Sequence, residues 1–278
     1  TDLRDAESLP CRFTICIFWI ILKAMIRGIL FDVDGVLINS EKEIAQACIE
    51  FFKKRGVHAV PADFAPFIGA GENRFIGGVA EKYGLKIDIA AAKIEAYGIY
   101  DELISGTDCA MKGTADFIRN AKKAGIKTAL ATSADKIKLD VNLKAIGFSI
   151  TDFDYAVWGN KVTHKKPDPE IYLTAAAGLG LNACDCLVVE DAVNGVQAAK
   201  AAGSLCIGLL GSFSEAELKR SGADIVLQDL SFFESFCSQN EFNASLKRLL
   251  NGWCADAAAR LQGSAWKDWH SVRQKDET

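Results

Sequence analysis

The chain has 278 residues, which is enough for one large domain or two modest ones. Half of the residues are apolar and 24% are charged, a composition typical of a globular protein and unlike that of a disordered chain or a collagen-like fibre. The net charge of −4 supplies no excess of basic side chains for a nucleic-acid backbone. We therefore expect no nucleic-acid partner.

Near the start of the chain, residues 13–22 (FTICIFWIIL) form an apolar run. The run is far shorter than the roughly 20 residues that cross a bilayer as a helix, so no membrane span is expected. It has the length of a signal-peptide core, but acidic residues precede it and no small-x-small cleavage site follows. We expect folding to begin near Met25, with residues 1–24 as an N-terminal extension.

Nine cysteines are scattered along the chain. Cys184 and Cys186 form only a C-x-C pair, with no second pair to complete a zinc site. The cysteines are instead typical of small buried hydrophobes in a reducing compartment. A cytoplasmic location is the resulting prediction.

The first predicted elements are a short strand and a helix. Apolar residues 29–31 precede Asp32-Val33-Asp34-Gly35, and Ser40 with Glu43 has the spacing of a helix-capping box. Apolar residues then recur with helical spacing until Gly56. From 61 to 107 the pattern is helical and contains no strong strand, so residues 40–108 are predicted to be a helical cap inserted after the first strand.

After Gly113, strands and helices alternate. Helices are predicted at 114–124, 136–146 and 194–202, and strands at 127–131, 155–157, 186–189, 205–209 and 224–227. This alternation predicts an α/β fold with a doubly wound parallel sheet. The predicted domains are a core of residues 25–39 and 109–235, the cap, and a C-terminal segment 236–278, with an amphipathic helix at about 240–262 and a polar tail.

Open parallel sheets bind ligands beyond the carboxyl ends of their strands. In this chain the residues that follow the predicted strands there are polar, and they are Asp32, Asp34, Thr132, Lys166, Glu190 and Asp191. Singly, each has a simple explanation, such as a turn, a helix cap or a solvated lysine. Their ordered occurrence at successive strand ends favours a site.

This set of residues predicts phosphoryl-transfer chemistry. Four clustered carboxylates repel one another unless a hard cation lies between them, and oxygen ligands suit Mg²⁺. Asp32 is then a carboxylate nucleophile, and the turn at Gly35 lets Asp34 act as general acid and later base. Thr132 and the backbone at Ser133 are expected to donate hydrogen bonds to phosphoryl oxygens. Lys166 would neutralise their charge.

Four stretches carry a resemblance to a known family. The chain resembles the haloacid dehalogenase-like superfamily of aspartate-nucleophile hydrolases, in its β-phosphoglucomutase-like, CbbY-type branch with a small helical cap. The stretches occur in the family's order and are FDVDGVLINSE (31–41), ALATSAD (129–135), KKPDPEIY (165–172) and VVEDAVNGVQAAKAAG (188–203).

The resemblance implies a Rossmann-like core with an inserted cap. It also implies that Asp32 is the nucleophile and Asp34 the acid/base, with Mg²⁺ on Asp32, the Asp34 carbonyl and Asp191, and with Glu190 in support. Stretches 69–84 and 132–147 look most like the phosphatase-like domain that opens plant chloroplast suppressor-of-quenching proteins. That resemblance alone would allow a plastid location.

Departures from the family pattern favour hydrolysis. Asp34 argues against dehalogenation, since dehalogenating members lack a second aspartate. Phosphomutases of the branch have a histidine where this chain has Ile44, and Glu72 stands at their cap arginine position, with Arg74 displaced by two. We therefore expect a phosphatase acting on a small phosphorylated metabolite, either a sugar phosphate or a phosphoglycolate-like compound.

The cap residues Glu72, Asn73 and Arg74 are expected to help choose the substrate, and the protein is expected to be a monomer. Three alternatives stay open at this point. They are a phosphomutase, a phospho-signalling receiver module, and a catalytically idle module that binds a phosphorylated ligand.

Overall fold

A six-stranded parallel sheet forms the centre of the protein, in the strand order β3-β2-β1-β4-β5-β6. The computed structural model describes residues 26–67, 72–233, 236 and 238–249. The strands are β1 Gly28–Phe31, β2 Lys127–Ala131, β3 Tyr155–Val157, β4 Cys186–Glu190, β5 Leu205–Leu209 and β6 Ile225–Leu227. This sheet confirms the predicted Rossmann-like α/β fold, and its strands begin and end within one residue of the predicted bounds.

Helices cover the sheet and form the insertion. They are α1 Glu41–Lys53, α2 Glu72–Lys82, α3 Ile89–Ile104, α4 Thr114–Lys123, α5 Lys136–Ala145, α6 Glu170–Gly178, α7 Val193–Ala201 and α8 Glu215–Arg220, followed by α9 at 239–249. Within the described residues, no helix is both long enough and apolar enough to cross a membrane. The apolar run at 13–22, the extension 1–24, the rest of the predicted C-terminal helix and the polar tail lie outside the described residues.

The register of the central strands positions the site. Phe31 at the end of β1 pairs with Leu130 of β2 on one side and with Val189 of β4 on the other. The Asp32 backbone N–H then donates to the Val189 carbonyl at 3.0 Å. Because the strands are parallel, the residue that follows β1 comes next to the last residue of β4, Glu190.

The insertion between β1 and α4 consists of helices and short 3₁₀ turns, with no strand among its described residues. Helix α1 buries the residues whose helical spacing the sequence shows, Ile44, Cys48, Phe51 and Phe52. The predicted capping box at its start is wrong. The Ser40 side chain makes no cap hydrogen bond and donates to the Asp34 carboxylate instead.

An aromatic cluster packs in the same hydrophobic core as the insertion and connects helix α9 to the sheet. The Phe117 ring on α4 meets the Phe31 ring edge-on at 5.7 Å and stacks on Phe233 at 5.0 Å. Phe236 and Phe242 complete the cluster, and both are fully buried. The cluster therefore joins the first strand to α9 through side chains that are far apart in the chain.

Phe117→Ala should lower the free energy of unfolding by about 3–5 kcal/mol, because it removes a ring that is completely buried among other rings. Phe232→Ala is the matched control, since Phe232 is 50% exposed beside the same cluster and should cost less than about 1 kcal/mol. Urea unfolding of both variants, followed by fluorescence and circular dichroism, measures the difference. Equal losses in the two variants would contradict the packing described here.

Candidate active site

A buried ion pair lies at the carboxyl ends of β1 and β4. The Lys166 Nζ lies 2.5 Å from an Asp32 carboxylate oxygen and 2.6 Å from Glu190 Oε1. Lys166 comes from the loop before α6, and all three side chains are at least about nine-tenths buried. Burial alone would lower the pKa of Lys166, but the two carboxylates outweigh it and raise the pKa above its usual range.

Glu190 is held by hydrogen bonds to both of its carboxylate oxygens. Its Oε1 accepts a bond from the Tyr172 hydroxyl at 2.7 Å as well as from Lys166, and its Oε2 accepts the backbone N–H groups of Asp191 and Ala192 at 2.9 and 3.0 Å. A Cβ at Gly195 would overlap this carboxylate. Glu190 is thus fixed in place, which suits a residue that positions Lys166.

Asp32, Glu190 and Asp191 form a group of carboxylates whose oxygens lie within 4.8 Å of one another. Burial raises the pKa of Asp32 and of Asp191, and repulsion from Glu190 raises both further, although Lys166 opposes this effect. In the described part of the site, three carboxylates thus face one ammonium group. A hard divalent cation with oxygen ligands would balance that charge, so the donor set fits Mg²⁺.

Asp34 does not belong to that group. Its Oδ1 accepts hydrogen bonds from Ser40 and from Asn142 at 3.0 Å, and the Lys138 ammonium lies 3.1 Å away. Burial raises the pKa of Asp34, but Lys138 and these hydrogen bonds outweigh it, so the pKa lies below its usual range. The four carboxylates expected in one cluster therefore separate into a group of three and a single residue with its own cation.

Lys138 and Asn142 were missed by the sequence analysis. Both project from α5, and the Asn142 carbonyl oxygen accepts a hydrogen bond from the Tyr100 hydroxyl of α3 at 2.7 Å. A signal was present, since residues four apart share one face of a helix and this helix was predicted at 136–146. Tyr172, two residues after the helix start at Glu170, was also missed because a tyrosine on a helix gives no sign of its partner.

Thr132 and Ser133 lie where the strand ends predict them. Thr132 is 1% exposed, and its hydroxyl oxygen accepts the Ala134 backbone N–H at 3.0 Å, so its own proton is directed elsewhere. Both residues line a cavity of about 700 Å³ together with Asp32, Asp34 and Lys166. The same cavity reaches Glu190 and Asp191. The structure thus brings together every residue that the strand ends suggested.

Among the cap residues that were expected to choose the substrate, Asn73 and Arg74 do not lie where that role requires. Asn73 accepts a hydrogen bond from Lys93 at 2.8 Å, and Arg74 pairs with Glu81 at 3.2 Å, with its guanidinium 5.4 Å from the centre of the Phe67 ring. Neither Asn73 nor Arg74 is among the described residues that line the cavity. The side chain of Glu72 lies outside the described part of the structure.

Apolar residues of the insertion line the cavity instead. We call them the apolar wall, and they are Ile44, Ala45, Pro61, Phe64, Ala65, Phe67 and Phe75. The wall lines the same cavity as the polar residues at the strand ends, so the cavity combines a charged region with an apolar region supplied by the insertion.

Comparison with known proteins gives consistent matches. The model of a family described as haloacid dehalogenase-like hydrolase matches residues 26–203. The Arabidopsis thaliana protein SUPPRESSOR OF QUENCHING 1, chloroplastic, is 41% identical over 208 residues, which is 74% of this chain but 20% of that protein. The chain therefore spans about a fifth of the length of that relative.

Two further matches cover nearly the whole of the protein compared. Validoxylamine A 7'-phosphate phosphatase of Streptomyces hygroscopicus subsp. limoneus is 28% identical, over 74% of this chain and 95% of the phosphatase. The crystal structure of a mutant CbbY from Rhodobacter sphaeroides in complex with xylulose-(1,5)bisphosphate superposes with a TM-score of 0.66 at 29% identity, covering 74% of this chain and 95% of that one. The CbbY structure thus has the same fold as this chain.

Gly35→Ala tests the close approach between the first turn and Asp191. Gly35 has φ +78°, and a Cβ there would overlap the Asp191 carboxylate, so we expect a loss of about 3 kcal/mol in the free energy of unfolding. Gly56→Ala is the matched control, because Gly56 has φ +75° and nothing within 4 Å of a built Cβ, and only the backbone cost of about 1–2 kcal/mol is expected. Denaturant unfolding measures both. Similar losses would show that Asp191 does not pack on Gly35.

Proposed function

Because this chain belongs to the haloacid dehalogenase-like hydrolase family, we propose that it is a magnesium-dependent phosphatase that cleaves the phosphate monoester of a small metabolite through an aspartyl-phosphate on Asp32. The observation that carries the proposal is the placement of Asp32. Its carboxylate lies at the polar side of a large cavity, 2.5 Å from the Lys166 ammonium and within 4.8 Å of Asp191. Such a carboxylate can attack a phosphorus atom whose charge its neighbours neutralise.

In the first step, an Asp32 oxygen forms a bond to the phosphorus atom while the ester P–O bond breaks. The Lys166 ammonium, the Thr132 hydroxyl and the Ser133 backbone N–H are proposed to bind the non-bridging oxygens and stabilise the charge that develops on them. Asp34 is proposed to give a proton to the departing oxygen, so the product is an alcohol and the electrons of the broken bond stay with it. Because its neighbours favour the carboxylate form, Asp34 has to take up this proton before the ester bond breaks.

In the second step, water attacks the phosphorus atom of the aspartyl-phosphate. Asp34, now a carboxylate, takes the proton from this water, and the bond between phosphorus and the Asp32 oxygen breaks to release inorganic phosphate. Lys138, Ser40 and Asn142 all contact the Asp34 carboxylate and thereby stabilise its anionic form. These three residues are therefore proposed to position Asp34 for its role as a base.

Asp32, Asp191 and the Asp34 backbone carbonyl are the proposed ligands of Mg²⁺, with Glu190 in support. The ion would supply positive charge to the phosphoryl group and orient it towards Asp32. Glu190 is proposed to act through Lys166, because its two oxygens already accept four hydrogen bonds.

A phosphomutase was the leading alternative. A mutase must hold a second phosphorylated position near the same centre, and the position at which the related mutases have a histidine is Ile44, an apolar residue of the cavity lining that is 4% exposed. Hydrolysis therefore remains the favoured reaction. The family match and the phosphatase relatives support an enzyme, and they count against the receiver module and the idle binding module.

Location and assembly stay predictions. The cytoplasm was predicted from the cysteines, and the name of the chloroplastic relative supports a plastid instead. The expected monomer is likewise untested.

Asp32→Asn should lower kcat for a phosphate monoester by at least about a thousandfold, because the amide cannot serve as the nucleophile. Asp116→Asn is the control, since the Asp116 side chain is 61% exposed on α4 and should leave kcat within about twofold of the wild type. Steady-state release of inorganic phosphate in saturating Mg²⁺ measures both, and circular dichroism confirms folding. An Asp32→Asn variant that turns over at the rate of the control would contradict the proposal.

Mg²⁺ itself should stabilise the folded protein. At ten times its Kd the ion adds about 1.4 kcal/mol, which raises the Tm by about 3 °C in a protein of this size. Asp191→Asn should abolish this shift and, without Mg²⁺, should be at least as stable as the wild type, because it removes one of three crowded carboxylates. Thermal unfolding with and without Mg²⁺ measures both effects. An unchanged shift in Asp191→Asn would exclude Asp191 as a ligand.

A further inference from the structure

The cavity has two unlike sides. Its polar side, at the strand ends, holds the groups proposed to bind and transfer the phosphoryl group. Another part of its lining comes from the insertion, and beyond the first two residues of α1 every described lining residue of the insertion is apolar. A phosphate monoester bound at Asp32 would therefore direct its organic part towards a surface that offers hydrophobic contact rather than hydrogen bonds.

The apolar wall is a packed part of the fold. Asp63, which is 5% exposed, ends the first 3₁₀ turn (Pro61–Asp63), and Phe64 links this turn to the second one (Ala65–Phe67). Its carboxylate accepts hydrogen bonds from the Val60 backbone N–H at 2.8 Å, from the Tyr83 hydroxyl at 2.7 Å, and from Lys82. Hydrogen bonding by Lys82 and the other two donors lowers the pKa of Asp63 to about 2.

The aromatic rings of the wall also support one another. The Phe64 and Phe75 ring centres are 4.9 Å apart, and the Phe67 ring lies so close over Gly78 of α2 that a Cβ there would overlap it. Phe64 is almost fully buried, whereas Phe67 and Phe75 are partly exposed. The wall thus presents two aromatic side chains to the cavity from fixed positions.

Two of the three lysines in the described cavity lining are paired with carboxylates, and the third, Lys42, is exposed at the start of α1. Among the described residues, the lining lysines are Lys42, Lys138 and Lys166, and no arginine lines the cavity. Lys138 contacts Asp34, and Lys166 contacts Asp32 and Glu190. A bisphosphate, such as the one bound in the CbbY complex, would need cations or N–H donors away from the reaction centre.

We propose that the substrate is a monophosphate ester whose organic part carries an apolar or aromatic surface, and that the apolar wall selects it. The proposal rests on the phosphatase function proposed above and narrows its substrate class. The proposal disfavours both substrate classes expected from the sequence, sugar phosphates and phosphoglycolate-like compounds. Neither class has an apolar surface that could pack against Phe67 and Phe75. The free energy of binding comes from removing that surface and the two rings from water.

The test compares two esters of similar intrinsic reactivity, benzyl phosphate and glycerol 3-phosphate, in saturating Mg²⁺. Both are primary alkyl esters whose leaving alcohols are similarly weak acids, so a difference in kcat/KM reports recognition. We expect benzyl phosphate to be favoured by at least about tenfold, the order of magnitude that apolar contacts supply in a hydrophobic pocket.

Substitutions locate the source of the preference. Phe67→Ala should reduce the preference to less than about threefold, by raising KM for benzyl phosphate with little change for glycerol 3-phosphate. Phe67→Leu keeps an apolar surface and should retain most of the preference, which separates contact with the substrate from damage to the fold. Phe232→Ala, outside this cavity, is the matched control and should leave both substrates unaffected.

Other results would contradict either the role of the apolar wall or the phosphatase function. Glycerol 3-phosphate hydrolysed as well as or better than benzyl phosphate, or Phe67→Ala lowering both activities equally, would overturn the role of the wall while leaving the phosphatase function standing. Failure of the wild type to hydrolyse either ester in Mg²⁺ would overturn the phosphatase function itself, and the substrate class with it.

Discussion

The Lys166 ammonium, held between Asp32 and Glu190, is the interaction on which the site depends. Parallel pairing of β1 with β4 places Asp32, Glu190 and Asp191 at neighbouring strand ends, where burial makes each negative charge costly. One buried cation offsets part of that charge, and removal of either partner would leave an unpaired ion inside the protein. The remaining negative charge is what makes the site suited to a divalent cation and to a phosphoryl group.

The sheet and the insertion contribute different parts of the site. The sheet supplies the charged groups, which the register of the strands fixes relative to one another. The insertion supplies a surface that carries no charge beyond the start of α1 among its described lining residues, and Asp63 and its three donors hold that surface in place. A change in the insertion can therefore alter which ester is accepted without altering the groups that cleave it, as long as the Asp34 contacts with α5 are preserved.

Sequence patterns predicted the parts of this structure that depend on local order. Apolar runs predicted the strands. Because the carboxyl ends of parallel strands lie at one edge of a sheet, the sequence also predicted that Asp32, Thr132, Lys166 and Asp191 lie close together. Sequence patterns did not predict the contacts of side chains whose partners are far away in the chain. Ser40 has the spacing of a helix cap, yet its hydroxyl donates to Asp34, and Lys138 looks like any lysine on a helix until tertiary packing buries it to 6% exposure. For the same reason the apolar wall was not foreseen, since helical apolar spacing does not tell a core residue from one that faces a cavity.

Trapping the covalent intermediate would test the role of Asp32 as the nucleophile. Wild-type enzyme would be mixed with a ³²P-labelled monoester and Mg²⁺, quenched in acid within milliseconds, and digested, so that the labelled peptide identifies the phosphorylated side chain. The proposed mechanism predicts a label on the peptide that contains Asp32 and, after reduction of the acyl phosphate, a modification at Asp32 itself. Product formed in the first turnover without any label on the protein, or a label at Asp34, would contradict it.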